Sequence, residues 1–214
     1  MLKKTAVAIA LATLGFGANA ATLSFSAPLT LETTEINQTL SLSQFDGSLG
    51  TLESVEIWFS GEATSHLAME NTAAQDQTFR FTSSLDLVFS GSVIDTSFLS
   101  ISLFNTGFVT MTQNETRDFG EVAGHESIRV TPADFSAFIG TGSLSFTCES
   151  FVSNTQSGGG GNINIVQNTT AGCGAEVVYT YSKPTTPNEV PEPASLALLG
   201  LGLLGLGALR RRQR

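Results

Sequence analysis

Along most of the middle of this chain, hydrophobic and polar residues alternate one by one. Between Thr22 and Leu31, the residues Leu23, Phe25, Ala27, Leu29 and Leu31 fall on one side. Val55, Ile57 and Phe59 alternate with Glu56, Trp58 and Ser60, and the same rhythm returns at Leu85, Leu87 and Phe89 and at Leu99, Ile101 and Leu103. Ile128 and Val130, then Leu144, Phe146 and Cys148, then Val177, Tyr179 and Tyr181 complete the series. A period of two puts alternate side chains on opposite faces of a strand, and short runs separated by Gly, Asn, Asp and Ser predict antiparallel strands. Roughly eight to ten short strands in residues 21–182 predict an antiparallel two-sheet β-sandwich with one face of each strand buried. Trp58 and Phe59 are neighbours, so one of them faces the core and the other faces out.

One stretch departs from this period. Thr131-Pro132-Ala133-Asp134 offers an N-cap, a proline at the first helical position and an early acid. Phe135, Phe138 and Ile139 then share a helical face, and Gly140 ends the run. A short helix plugging one end of the sandwich is expected here. Gly158 to Gly161, flanked by Ser and Asn, lacks the lysine and following helix of a phosphate loop and reads as a flexible hairpin tip. Asp46-Gly47 and Asp95 are expected in turns, where Asp bonds its own backbone.

The two ends follow other patterns. Lys3 and Lys4 precede an apolar stretch from Thr5 to Phe16, and Ala18-Asn19-Ala20 supplies small residues at the peptidase positions. Residues 1–20 therefore read as a secretory signal peptide, with cleavage between Ala20 and Ala21. Residues 183–193 hold Pro184, Pro187, Pro191 and Pro193 and read as an extended linker. Residues 194–209 are apolar and predict a single transmembrane helix of roughly 24 Å, which snorkelling and bilayer thinning fit to the membrane. Residues 210–214 form a basic tail, and Arg210, Arg211, Arg212 and Arg214 would stay cytoplasmic, leaving residues 21–182 outside.

Composition sharpens this division. The chain has 214 residues, of which 41% are hydrophobic and only 14% charged, with a formal charge of −9. Six of the ten basic residues lie in the two ends. Arg80, Arg117, Arg129 and Lys183 alone remain against 19 acidic residues, so residues 21–193 carry −15. Such a domain repels phosphate backbones and is not expected to bind nucleic acid. Cys148 and Cys173 are the only cysteines. In an exported chain they are expected to form a disulfide, worth roughly 3–4 kcal/mol for a loop of about 25 residues. Two cysteines without a nearby histidine make no four-ligand zinc site, and no D-x-D-x-D-G calcium loop exists, so no cofactor or metal is expected. His66 and His125 have no catalytic motif around them, and no G-x-S-x-G elbow is present. No catalytic residue is assigned, and no enzyme is expected.

Val190-Pro191-Glu192-Pro193, followed by the short apolar run and the arginine cluster, closely resembles the PEP-CTERM sorting signal of Gram-negative bacteria that make exopolysaccharide. The resemblance implies recognition by an exosortase at Pro191, Glu192 and Pro193, a stay in the inner membrane before processing, and removal of the tail. It also makes extracellular polysaccharide an expected partner. Two further segments are similar to the choice-of-anchor E domain. They are Asn37-Gln38-Thr39-Leu40-Ser41-Leu42-Ser43-Gln44-Phe45-Asp46 and Ala133-Asp134-Phe135-Ser136-Ala137-Phe138-Ile139-Gly140-Thr141-Gly142. That likeness spans residues 22–182 and implies no assigned activity. The competing reading is a carbohydrate-binding or adhesive module held permanently by its transmembrane helix.

Overall fold

A computed structural model of the chain describes residues 20–184. All of the predicted signal peptide but Ala20, the transmembrane helix and all but the first two linker residues lie outside the described residues. The chain divides after Ser182, with Met1–Ser182 as one compact unit and Lys183–Arg214 as another.

The first unit is all β, in two antiparallel sheets. Its strands are β1 (Ala20–Ala27), β2 (Glu32–Thr33), β3 (Asn37–Ser43), β4 (Thr51–Asn71), β5 (Gln77–Gly91), β6 (Ile94–Met111), β7 (Thr116–Val130), β8 (Ser143–Gly158) and β9 (Ile163–Ser182). One sheet has the order β1-β9-β4-β7, with β2 also on β9, and the other has the order β3-β8-β5-β6. We call them sheets A and B. Only β5 and β6 are joined as a hairpin within one sheet between adjacent long strands. The β3–β4, β4–β5, β6–β7, β7–β8 and β8–β9 connections all cross from one sheet to the other.

The strands are longer than the alternating runs suggested. β4 has 21 residues and β9 has 20, and they pair along nearly their whole length. Residues beyond the apolar runs continue the alternation with small or polar inward side chains. Ala63, Ser65, Leu67, Met69 and Asn71 all point inward on β4. Pattern reading stops where Ser and Asn take inward places, whereas backbone pairing does not. At the other extreme, β1 ends at Ala27 because Pro28 has no N–H to continue the ladder. Leu29 and Leu31 therefore lie outside it.

The core forms where the two inner faces meet. Phe59 of β4 stacks on Phe89 of β5 at 4.6 Å between ring centroids and meets Phe146 of β8 edge-on at 5.4 Å. Phe45, just after β3, lies 5.7 Å from Tyr179 and 5.1 Å from Tyr181. Gly61 faces Leu87 of β5, whose Cδ1 a Cβ at position 61 would displace. Asn71 is a buried polar anchor. Its Nδ2 donates to the carbonyls of Gln75, Met111 and Thr112 at 2.9–3.1 Å, and its Oδ1 accepts from Ala73 N–H at 3.0 Å. It thereby ties the β4–β5 crossing to the β6–β7 crossing.

The helix expected after Thr131 is not formed. Residues 131–140 contain one 3-10 turn, Ser136–Phe138. Asp134 accepts from the N–H and hydroxyl of Ser136, both at 2.9 Å, closing a local turn where the helix would have begun. Phe45 then takes over the backbone: its N–H donates to Phe138 O at 2.8 Å, and its carbonyl accepts from Gly140 N–H at 2.9 Å. Phe138 is buried while Ile139 is turned out, so the two do not share a face. The glycine run is also not a hairpin tip. Gly158 ends β8 in sheet B, and a 3-10 turn at Gly159–Gly161 carries the chain across to β9 in sheet A. All four glycines have φ between +57° and +88°, a region other residues resist, which is why this crossing is built of glycine.

Tyr179 offers a test of the core. Its ring is buried, its hydroxyl donates to Ser43 O at 2.8 Å, and burial pushes its phenol up to about 12. An unfolded tyrosine ionises near pH 10, so deprotonation favours the unfolded chain from there upward. Stability from this group is expected to be intact below pH 10 and lost as the pH rises through about 12. Tyr179→Phe should cost about 1 kcal/mol at neutral pH and flatten the alkaline decline. Denaturant melts of both forms across alkaline pH check this.

Candidate functional site

The chain enters and leaves the domain at one place. β1 and β9 are antiparallel, with Ala20 opposite Ser182 and Ala21 opposite Tyr181. The bond expected to be cut by signal peptidase thus lies at the paired end of β1, beside the point where the chain departs toward Lys183 and Pro184. Ala20 is exposed and Ala21 half-buried. Pro191, Glu192 and Pro193, and Arg210, Arg211, Arg212 and Arg214, lie outside the described residues. The structure brings the two ends of the domain together and leaves the sorting residues to the sequence.

The two cysteines meet as expected. Cys148 of β8 and Cys173 of β9 form a disulfide with Cα atoms 6.5 Å apart, and both are buried. Each lies on an interior strand of its sheet, so the bridge bolts sheet A to sheet B near the middle of both. Gln38 completes the surroundings. β1 leaves β9 at Ala175 and β2 joins it at Ala171, which leaves part of the β9 edge without a strand partner. Gln38 Oε1 reaches from β3 in sheet B to accept the N–H of Cys173 at 3.0 Å. Its Nε2 donates to Thr30 O at 2.8 Å and Glu32 Oε1 at 3.0 Å. Sequence reasoning assigned no role to Gln38. The signal was present, since Gln38, Leu40 and Leu42 are in one phase and a glutamine there needs partners. An open cleft of about 320 Å³ lies beside it, lined by Pro28, Asn37 and Leu40 among others.

The histidines lie on the outward face of sheet A. His66 Nε2 is 3.1 Å from Asp118 Oδ1, and His125 Nδ1 is 3.7 Å from Glu62 Oε1. Among the described residues, neither is hydrogen-bonded to a serine or cysteine. On the same face the Arg129 guanidinium sits 5.8 Å above the Trp58 ring and 3.2 Å from Glu56 Oε1. Trp58 is 40% exposed while Phe59 is wholly buried, as their adjacency in a strand requires. Such exposed pairs contribute little to stability. Among the described residues no group of three or more His, Cys, Asp or Glu side chains is placed to hold a metal.

Several carboxylates have a local structural task. Asp46 accepts from Ser48 N–H at 2.9 Å, as the turn reading expected, and starts the 3-10 turn Gly47–Leu49. Asp95 instead lies within β6, just past the β5–β6 turn. Glu115 accepts from Thr112 N–H at 2.7 Å and pairs with Arg117, and Asp118 accepts from Gly120 N–H at 2.7 Å. The backbone N–H groups of Ser48, Thr112, Gly120 and Ser136 are the main reason that Asp46, Glu115, Asp118 and Asp134 hold their protons less tightly than usual.

The structure also exposes three aromatic residues that sequence reading passed over: Phe98, Phe108 and Phe151. Phe98 is out of phase with Leu99, Ile101 and Leu103, and that offset was the available signal.

These features define a disulfide-bolted, two-sheet β protein whose first described strand begins beside the end of its last. Residues 189–212 match the PEP-CTERM protein-sorting motif. The chain is accordingly an exosortase-sorted protein of the cell surface or exterior. No curated protein matches the chain. Among solved structures, that of the infectious bursal disease virus Gt strain is 11% identical, covering 86% of this chain and 49% of its own, with a TM-score of 0.14. The T=1 particles derived from infectious bursal virus are 10% identical, covering 94% and 53%, with a TM-score of 0.16. The VP2 subviral particle of infectious bursal disease virus is 11% identical, covering 92% and 54%, with a TM-score of 0.17. The chain spans about half the length of these viral chains.

Removing the bridge should be costly. The double variant Cys148→Ala, Cys173→Ala is expected to lose about 3 kcal/mol, read as the fall in unfolding free energy in denaturant. Added reductant should then destabilise the natural chain and leave the variant unchanged. On the acid side, the four turn carboxylates have folded pKa values below their unfolded ones. Their stabilisation is present above about pH 4 and lost as the pH falls through the lowered values. Thermal melts across acid pH should show that decline, and it should be shallower in Asp118→Asn, Asp134→Asn.

Proposed function

We propose that this chain is a non-enzymatic domain made for export and display. A signal peptidase cuts between Ala20 and Ala21, and the transmembrane helix at residues 194–209 holds the chain in the inner membrane of a Gram-negative bacterium. An exosortase then removes the tail near Pro191, Glu192 and Pro193. The freed domain, of the choice-of-anchor E type, stays at the surface or leaves the cell in association with exopolysaccharide.

The observation that carries this reading is the division of labour along the chain. The sorting motif occupies residues 189–212, whereas the last strand of the described fold ends at Ser182. Cutting near Pro193 leaves every strand and core residue of the described fold, and both cysteines, in place. A tail meant to be discarded should be separable in this way.

The test is to produce the full chain in a host with a matching exosortase and in one without it, and to read the C-terminus by mass spectrometry. A secreted or surface form ending near Pro193 only in the matching host is the expected result, and any added mass identifies an attachment. An intact tail in the membrane fraction of both hosts would overturn the reading and leave a permanent anchor.

A further inference from the structure

The outward faces of the two sheets differ in chemistry. Sheet A turns Glu56, Glu62, Glu70 and Glu176 outward, beside His66 and Arg129. On the outward face of sheet B, strands β5, β6 and β8 carry only Arg80, Asp86 and Glu149 as charged residues. That is close to neutral, on a chain whose residues 21–193 carry −15. The rest of the face is rich in hydroxyls, with Thr82 and Ser84 of β5 flanked by Ser100 and Ser102 on β6 and Ser153 and Thr155 on β8.

Three phenylalanines stand on this face. Phe98 lies opposite Val88, Phe151 opposite Asp86 and Phe108 opposite Arg80, and each of those β5 residues lies between two buried ones. Phe98 is 64% exposed, Phe108 72% and Phe151 46%. Outward strand positions facing water are usually polar, and these three rings depart from that pattern on one face. Strand spacing and rise put Phe98 and Phe151 roughly 12 Å apart across β5, with Phe108 roughly 27 Å along β6 from Phe98. Val88 and Asp86 of β5 lie between Phe98 and Phe151, whereas Ser84, Ser102, Ser153, Thr82 and Thr155 cover the face from that pair toward Phe108. A protein partner, including a second copy, wants a continuous apolar centre over about 800 Å². Rings set apart on a hydroxyl-bearing sheet suit a different ligand. A sugar ring presents an apolar C–H face and a rim of hydroxyls, and a polymer of them can meet several rings at intervals.

We propose that the outward face of sheet B binds an uncharged polysaccharide, with Phe98 and Phe151 stacking on sugar rings at one end and the Ser and Thr hydroxyls bonding to the sugars that run on toward Phe108. The near-neutral face suits an uncharged polymer, and the acidic domain repels an anionic one. This deepens the exopolysaccharide association proposed above and rests on it.

Native affinity electrophoresis of the full chain in mild detergent tests the proposal. Hydroxyethylcellulose, dextran and galactomannan serve as uncharged probes, and alginate as the anionic one. At least one uncharged polymer should retard the natural chain, and alginate should not. Phe98→Ala, Phe151→Ala should weaken that retardation about tenfold without changing Tm, as expected for two lost ring contacts. Trp58→Ala, on the opposite face, should bind as the natural chain does. Absence of retardation by all three uncharged polymers would overturn the proposal, as would equal retardation of the double variant. A dimer in sedimentation that the double variant dissolves would also overturn it, by giving the face to a second copy. The chain is assayed with its tail intact, so failure of binding and failure of tail removal are read separately.

Discussion

Everything in this fold leans on β9. It is the last strand of the domain, yet it lies inside sheet A, pairing with β4 along nearly its whole length on one side and with β1 and β2 on the other. Its inward residues Val177 and Tyr179 fill the core, and its Cys173 carries the bond to sheet B. β1 has no other strand partner, so the N-terminal end of the domain has nowhere to pair until residues 175–182 exist. Pairing between segments so far apart in sequence is slow, because the loop entropy is lost before the contacts form. A chain emerging N-terminus first must therefore expose its last strand before sheet A can close. The order suits a protein whose tail is handled after the domain.

The crossings between sheets have a second consequence. Since most connections pass from one sheet to the other, consecutive strands face each other across the core. The sandwich is then stitched through its thickness by the backbone, by Gln38 and by the disulfide. Gln167 adds a further stitch, donating from β9 to Ser65 Oγ at 3.0 Å and to Ser83 Oγ of β5 at 2.9 Å. Long open edges remain at β7 and β6, and both are interrupted. Near Leu67 the β4–β7 register shifts beside Gly120, whose φ is +80°, and the β5–β6 register shifts in three places. Bulges together with Arg117, Asp118, Glu121, Glu126 and Arg129 make β7 a poor template for a foreign strand.

Much was legible in the sequence because it rests on local physics. Alternation of Val55, Ile57 and Phe59 with Glu56, Trp58 and Ser60 specifies strand and buried face together, since a strand has a period of two whatever it packs against. The disulfide was legible because only two cysteines were present in an exported chain. The sorting motif was legible because proline, an apolar run and arginines act in order along the chain and need no fold to bring them together.

Other features were decided only in three dimensions. Thr131-Pro132-Ala133-Asp134 carries genuine helix-start chemistry, but the backbone groups of Phe45 bond Phe138 and Gly140 more favourably than a short isolated helix could bond itself. The glycines at 158–161 look alike as a hairpin tip or a crossing. Which one forms depends on whether β9 pairs with β8 or with β4, and that is a choice between distant partners. Gln38, the long polar half of β4 and the phenylalanines on sheet B were equally hidden, because a residue's task there is set by what lies opposite it. The sequence alone determined the strand period, the buried face, the paired cysteines and the sorting tail, all of which follow from neighbours along the chain. The tertiary structure decided strand order, crossings and the two outer faces, because most of those follow from pairings between residues far apart in sequence, such as Ala20 with Ser182 and Phe59 with Ile128.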